Sequence, residues 1–512
     1  MAKKKILIYA GVVIVLVLAF AVRYKGITFG FPLIVHPDEP EVVRPALNIM
    51  RTGDLNPHTF LYPSLYIYMQ SAVYVMVFFI GFLLGAFRTL ADIEPTAFYY
   101  WGRMLTIILS VGTICVTYAV GKYLFNRAVG LLATIFVAAS YLHITNSFTI
   151  TTDSPMAFWG SLAFFASVYN YLYGPRLKLY ILNGICIGLA AGTKYTGIWC
   201  ALPMVYVHLY HCGFSVKKLL DRKFLIGLAC IPLAFVASTP YLLLDFKKFL
   251  YFIRYQKDAY TLGHPGAESA AVSFRFYWNA IVKKFGMPPL ILGSIGSIFM
   301  LIKDRKKVLL LICFPVAYYL FFGSYKVRFD RNMVCMVPFL AILAGYGACA
   351  LVESISGLSR KEKARNYIRA VLVIFLIFFL GKGALGQTRM ALKRIRKITL
   401  PDTRWISKVW IEENLPLGSK IGREHYTPPV SPAKFEVVYL GYFGLLKGGI
   451  EKYDYVIASN TDYARFVNNP KRYPAEARRY NEIFSKYELI KEFVPDKKNT
   501  SGPVIRVFKV RR

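Results

Sequence analysis

Four separated segments of this 512-residue chain carry the side chains best suited to chemistry. Asp38 and Glu39 lie in His36-Pro37-Asp38-Glu39-Pro40, and Asp153 lies in Thr151-Thr152-Asp153-Ser154-Pro155. Lys194 lies in Gly192-Thr193-Lys194-Tyr195-Thr196-Gly197, and Arg328 and Arg331 lie in Lys326-Val327-Arg328-Phe329-Asp330-Arg331. Guanidinium and ammonium groups suit a phosphate, and a carboxylate can take the proton of an incoming hydroxyl. Together they fit transfer of a group from a phosphate-bearing donor, with the phosphate leaving and the cations meeting its developing charge in the transition state. Each residue also has a plainer reading. Asp38 and Glu39 before Pro40 mark a good helix start, Asp153 suits a helix cap, and the arginines suit the flank of an apolar segment. Lys194 is harder to dismiss, because it interrupts an apolar stretch running from Ile181 to Tyr210, and an ionisable group at membrane depth is a functional candidate by default.

The composition says what must position these groups. There are 63 Lys and Arg against 28 Asp and Glu, a formal charge of +35, yet 56% of residues are hydrophobic and only 18% charged. Mean hydropathy is +0.43. An ordinary soluble domain is about 25% charged, and a disordered chain would be far less hydrophobic. The basic residues sit between apolar runs and form no single stripe, which argues against nucleic-acid binding and for a multi-pass membrane protein with basic cytoplasmic loops. The eight cysteines lie in or beside apolar stretches without a CxxC pair, so they read as packing residues.

Ile6–Val22, preceded by Lys3, Lys4 and Lys5, is the first apolar run; the basic flank keeps the N-terminus cytoplasmic and sends the chain after it across the membrane. Further runs lie at 66–87, 103–121, 128–146, 156–173, 179–193, 196–211, 224–243, 288–302, 308–323, 333–352 and 368–386. Basic loop clusters at Lys122/Arg127, Arg176/Lys178, 217–223, 303–307 and 360–365 all fall on the cytoplasmic side only if one run does not cross. Pro63 before it and Asp92 and Glu94 after it single out 66–87 as a re-entrant or membrane-surface helix. The expectation is therefore about eleven spans, with the C-terminus outside and an inner (plasma) membrane location. With that parity, 23–102, 147–155, 194–195, 244–287, 324–332 and the tail face outwards. The candidate carboxylates and cations then gather on one membrane surface, where a phosphate whose hydrocarbon tail stays in the bilayer would meet them.

Those segments, with Gly53-Asp54-Leu55-Asn56-Pro57, Tyr62-Pro63-Ser64-Leu65, GLAAGTKYTG at 188–197 and VRFDRNMVCMVPFLAIL at 327–343, resemble the GT-C glycosyltransferases, in particular the protein O-mannosyltransferase and aminoarabinose-transferase-like group (glycosyltransferase family 39). The likeness covers most of residues 1–390. It implies inverting transfer of a sugar from a polyprenyl-phosphate donor to an acceptor hydroxyl of a protein, glycolipid or glycan at the extracytoplasmic face. By motif match, Asp38 would be the base with Glu39 beside it, Asp153 would take the second acidic position, and Lys194, Arg328 and Arg331 would contact the donor phosphate. Because the leaving phosphate needs no protonation, one base suffices, unlike the acid and base pair of a glycosidase. Adjacency alone does not choose between Asp38 and Glu39, since neighbours on a helix point in different directions. Hard oxygen ligands would also suit a divalent cation; the reading adopted is cofactor-free, with a weak divalent site at Asp38, Glu39 and Asp153 as the alternative.

His264 and Glu268 in the loop 244–287, together with His58 and Tyr62, are candidates for an acceptor or sugar site. No HExxH accompanies the histidines, so zinc chemistry is not indicated. Past Gly386 the chain turns polar. Thr403–Asn414 reads as a helix, segments 420–422, 435–440, 453–458 and 504–510 as strands, and 473–487 as a helix, which together make a small α/β extracytoplasmic domain over 387–512 beside a transmembrane domain over 1–386. It has no nucleotide-binding glycine loop. The competing reading, a transporter or flippase of a lipid-linked glycan, would place ionisable residues at mid-bilayer within internal repeats. No such repeat is visible, and the charges gather on one side.

Overall fold

The computed structural model describes residues 2–213, 215, 220–263, 273–496 and 498–510. By contacts the chain divides into two compact units; the second runs from Lys393 onward and includes Thr28–Val35.

The first unit is a helical membrane bundle. Among the described residues, six helices are long and apolar enough to cross a bilayer: Ile6–Tyr24, Leu65–Leu83, Pro95–Leu124, Arg305–Gly323, Asp330–Ser356 and Glu362–Ile398. A seventh counts if Phe274–Phe285 and Met287–Lys303, bent by 106°, form one span. The remaining apolar runs also fall on helices, but short ones, because local sequence breaks them. Arg127–Ala139 stops at Ser140 and Leu177–Thr193 stops at Lys194. At Gly286 (φ +107°), followed by Pro288 and Pro289, the backbone turns sharply. Asp153–Tyr173 has the length of a span, but it carries buried Ser161, Ser167 and Asn170, and Asn183 donates to Ser167 Oγ at 2.6 Å. Polar groups of this kind are tolerated where helices satisfy one another inside a bundle. Glycines permit the closest approaches: a Cβ at Gly184 would stand 2.1 Å from the carbonyl oxygen of Gly227, and one at Gly347 would stand 1.9 Å from that of Leu292.

Leu65–Leu83, expected to lie on or re-enter the membrane, is a continuous helix long enough to cross it. It runs antiparallel to the N-terminal part of Pro95–Leu124. Tyr66 OH meets Thr106 Oγ1 at 2.5 Å, Gln70 donates to the Gly102 carbonyl at 3.1 Å, and Tyr74 packs edge-on against Phe98.

The second unit is a small sheet domain of five strands, β1 Lys420–Glu424, β2 Glu436–Gly441, β3 Tyr455–Ser459, β4 Glu488–Phe493 and β5 Ile505–Lys509, in the order β2-β1-β3-β5-β4. β1 pairs parallel with β2 and β3, and β5 pairs antiparallel with β3 and β4. β3 is buried along its whole length, as expected for a strand covered on both faces. Ile411 of the helix Thr403–Asn414 packs with Ile421, Ile457, Ile505 and Val507, while Phe466, Tyr480 and Ile483 of two further helices, Asn460–Val467 and Pro474–Lys486, pack with Val456, Ala458 and Phe508.

Candidate active site

Asp38 precedes the helix Glu39–Thr52, which Pro40 helps to start. The two neighbouring carboxylates then part. Glu39 is completely buried, where it receives Arg103 Nε at 2.8 Å and Arg103 Nη2 at 2.7 Å. It also accepts from the backbone N–H of Ile150 at 3.0 Å, while Arg103 Nη1 donates to the Ile27 carbonyl at 2.7 Å. Asp38 turns the other way, and its Oδ2 lies 2.8 Å from Arg331 Nη1.

Asp153 opens the helix Asp153–Tyr173, whose N-cap residue is Thr152, so its carboxylate is not spent on capping. One oxygen lies 2.6 Å from Lys194 Nζ and the other 3.5 Å from Arg331 Nε. Lys194 stands in an extended conformation (φ −148°, ψ 129°) between the end of Leu177–Thr193 and the 3₁₀ segment Tyr195–Ala201. Its ammonium also donates to Asn332 Oδ1 at 2.8 Å and sits 5.7 Å from the ring centroid of Phe322. Asn332 is held in turn by donating to Tyr277 OH at 3.2 Å. Arg331 belongs to a second 3₁₀ segment, Asp330–Met336, and lies over the Phe329 ring at 4.3 Å. Both cations thus sit where a 3₁₀ turn leads into a helix with proline in its first turn, Leu202–His211 and Val337–Ser356. The result is one alternating chain of charge: Asp38, Arg331, Asp153, Lys194.

The other sequence candidates are placed differently. Arg328 donates to Ser273 Oγ at 3.4 Å and lies over Phe276, and among the described residues it forms no ion pair with Asp38 or Asp153. Tyr62 is electrostatically coupled to Asp38, Arg331 and Asp153, and burial, reinforced by Asp38, pushes its phenol well above the ordinary value. His58 pairs with Asp54 at 2.7 Å, both about half exposed, and does not join the cluster. His264 and Glu268 lie outside the described residues. His36 Nδ1 accepts from the Asp38 backbone N–H at 3.2 Å, and burial lowers the pKa of its imidazole. Among the described residues no three His, Cys, Asp or Glu side chains gather as metal ligands; Asp38 and Asp153 face cations instead.

Two members, Arg103 and Asn332, are not singled out by the sequence. Arg103 begins an apolar run and reads there as a flanking charge, yet it lies fully buried within the helix Pro95–Leu124. Asn332 directly follows Arg331 in the quoted motif. Tyr260, one of the aromatics of the loop 244–287 expected to line an acceptor or sugar site, lies on Phe246–Leu262 within electrostatic reach of Lys194, Arg331 and Tyr62.

Comparison with known proteins agrees with this architecture. Residues 73–253, about a third of the chain, match the family described as dolichyl-phosphate-mannose-protein mannosyltransferase. Compared by sequence with curated proteins, the chain has no match. Among solved structures, ArnT from Cupriavidus metallidurans in the apo state superposes with a TM-score of 0.59 at 14% identity, over 99% of this chain and 98% of ArnT. ArnT bound to undecaprenyl phosphate gives 0.58 at 12% identity, over 99% and 98%. The archaeal oligosaccharyltransferase AglB from Archaeoglobus fulgidus, in complex with an inhibitory peptide and a dolichol-phosphate, gives 0.59 at 13% identity, over 93% and 72%. The fold is that of the GT-C glycosyltransferases, multi-pass membrane proteins, and the resemblance read from the sequence motifs is borne out. The particular match within that class is the mannosyltransferase family, over the segment that contains Arg103, Asp153 and Lys194.

Proposed function

We propose that this protein is an inverting glycosyltransferase that moves a sugar from a polyprenyl-phosphate donor to an acceptor hydroxyl at the extracytoplasmic face of the membrane. The observation that carries the reading is the chain Asp38–Arg331–Asp153–Lys194, set in a fold shared with structures that hold undecaprenyl phosphate and a dolichol-phosphate. Lys194 and Arg331 receive the donor phosphate, and Asp153 holds both cations in place. Asp38 accepts the proton of the acceptor hydroxyl as its oxygen attacks the anomeric carbon. The bond from that carbon to the phosphate oxygen breaks with its electron pair leaving on the lipid phosphate, where the two cations meet the added charge. Glu39, paired to Arg103 away from the cluster, serves the scaffold and not the proton transfer. Arg328, which donates to Ser273 Oγ and lies over Phe276, is given a lesser part in this reading.

The sidedness rests on the basic loop clusters. Lys122 lies over the ring of Tyr9, near the start of the first helix, so the cluster Lys122/Arg127 shares an end of the bundle with the basic N-terminus. Asp38 follows the opposite end of that first helix.

Purified protein supplied with polyprenyl-phosphate sugars carrying a radiolabelled hexose or pentose, with glycolipid and peptide acceptors, tests the reading. Turnover that disappears in Asp38→Asn supports it. Full-rate transfer by Asp38→Asn, or movement of an intact lipid-linked glycan without cleavage of its sugar, refutes it.

A further inference from the structure

We infer that the membrane bundle carries a second lipid site, separate from the acidic and cationic cluster, which holds one anionic glycerophospholipid. A cavity of about 340 Å³ opens where the helix pair breaks at Gly286 and faces the middle of Glu362–Ile398. Its wall is mainly apolar, including Phe136, Phe285, Pro288, Leu380 and Met390, but it also includes Lys382. Small residues make the room: Gly383 and Gly386 line it on one side and Gly286 on the other. A Cβ on Gly383 would already stand 3.3 Å from Pro288.

The setting of Lys382 identifies the occupant. It is exposed and flanked by Gly381 and Gly383, and it directly follows a stretch whose Ile374, Phe375, Ile377 and Phe378 are all exposed. Such a helix face meets lipid, so the ammonium stands at the border of the hydrocarbon, and an ionisable group there calls for a partner. Among the described residues no carboxylate pairs with it, and the sequence contains no acidic residue between Glu362 and Asp402. Gln387, also in the wall, donates to the Lys283 carbonyl at 3.1 Å, and its buried Oε1 lacks a hydrogen-bond partner. An apolar slot beside the Lys382 ammonium and the unpaired Gln387 Oε1 fits an acyl chain below an anionic head, its phosphodiester meeting Lys382 and a glycerol hydroxyl donating to the amide oxygen. None of the lining residues belongs to the Asp38–Arg331–Asp153–Lys194 cluster, and competition with polyprenyl phosphate separates a bilayer lipid from the tail of the sugar carrier. The bound chain would wedge the bend at Gly286.

Native mass spectrometry of the full chain in mild detergent, with equimolar phosphatidylglycerol and phosphatidylcholine, tests this without using turnover. The wild type is expected to retain one phosphatidylglycerol in preference to phosphatidylcholine. Lys382→Gln, at an exposed position that folding tolerates, should cut that preference about fivefold, the worth of one cation near a lipid surface. Gly383→Leu, which fills the slot, should retain neither lipid. Equal retention of both lipids by the wild type, an unchanged preference in Lys382→Gln, or one-for-one displacement of phosphatidylglycerol by polyprenyl phosphate would each overturn the inference. Absence of sugar transfer would count against the proposed function and leave this result untouched.

Discussion

Glu39 and Arg103 form a bidentate ion pair with both side chains fully shielded from solvent, one residue away from Asp38, which reaches the cation of the site. The same carboxylate holds the backbone of Ile150, three residues before Asp153. One buried pair thereby fixes the approach of both acidic site residues.

Removing one partner of a buried pair strands the other, at a cost of about 3–5 kcal/mol. Arg103→Ala and Glu39→Ala are accordingly expected to lose thermal stability and yield of folded protein. Asp38→Asn, which removes a partly exposed charge, should melt within a few degrees of the wild type. Thermal unfolding of the three detergent-solubilised variants by tryptophan fluorescence checks this, and an Asp38 variant as unstable as the other two would place that residue in the scaffold.

Asp38→Asn keeps the shape of the base but cannot take a proton. Its turnover should fall by roughly 10²–10⁴-fold, the usual worth of a positioned general base, while donor affinity holds or rises because Arg331 is released from its carboxylate. Single-turnover rates alongside equilibrium donor binding separate the two effects.

Lys194→Met deletes the ammonium between Asp153 and Asn332. Donor binding should weaken by roughly tenfold or more, since a charge-assisted bond contributes about 1.5–3 kcal/mol. Arg328→Met, which removes a cation outside the cluster, should change donor affinity less than threefold, an expectation scaled to the 0–1 kcal/mol of exposed ion pairs. Equal losses in the two variants would move Arg328 into the phosphate site.

In the sheet domain, burial and then the charge of Asp462 push the Glu424 carboxyl up to about 8, and burial raises Asp462 to about 6. A carboxyl whose pKa is raised in the folded state binds its proton more tightly there than in the unfolded chain. Its contribution is complete below the ordinary value and is lost as pH rises through 6 and then 8. The protection of β1 and β3 against amide hydrogen exchange in the full chain should therefore decline progressively from about pH 4 to pH 8. Glu424→Gln, which keeps an acceptor for Tyr480 OH and the Leu445 N–H, should flatten the upper part of that decline.

Much of the site was legible because ionisable residues in apolar surroundings stand out. Lys194 stands out that way, while Asp38, Asp153 and Arg331 are marked by their motifs and by the outer face the topology gives them, and all four meet in space. Direction was not legible: Asp38 and Glu39 are neighbours, and only the helix start at Pro40 and the presence of Arg103 send one to the cluster and the other into the interior. Arg103 escaped notice because it stands at the edge of an apolar run and reads as a flanking charge. Spans were harder to count than to locate, since breaks at Ser140, Lys194 and Gly286 shorten helices whose apolar character continues past the break. In the sheet domain, Glu488–Phe493 is not legible because this edge strand is mostly exposed and three of its six residues, Glu488, Lys491 and Glu492, are charged. The helix Asn460–Val467 was missed because its start, capped by Ser459, follows directly on a strand.

The bridge made by Arg331 has a kinetic corollary. With the guanidinium held by Asp38 on one side and Asp153 on the other, the proposed proton acceptor is occupied in the resting protein. A donor that draws Arg331 towards its phosphate releases Asp38 at the same moment, so the base becomes available only once a sugar is in place to be attacked. Initial-rate measurements should then show compulsory order, the carrier lipid entering first, with little wasteful hydrolysis or acceptor activation by an empty site.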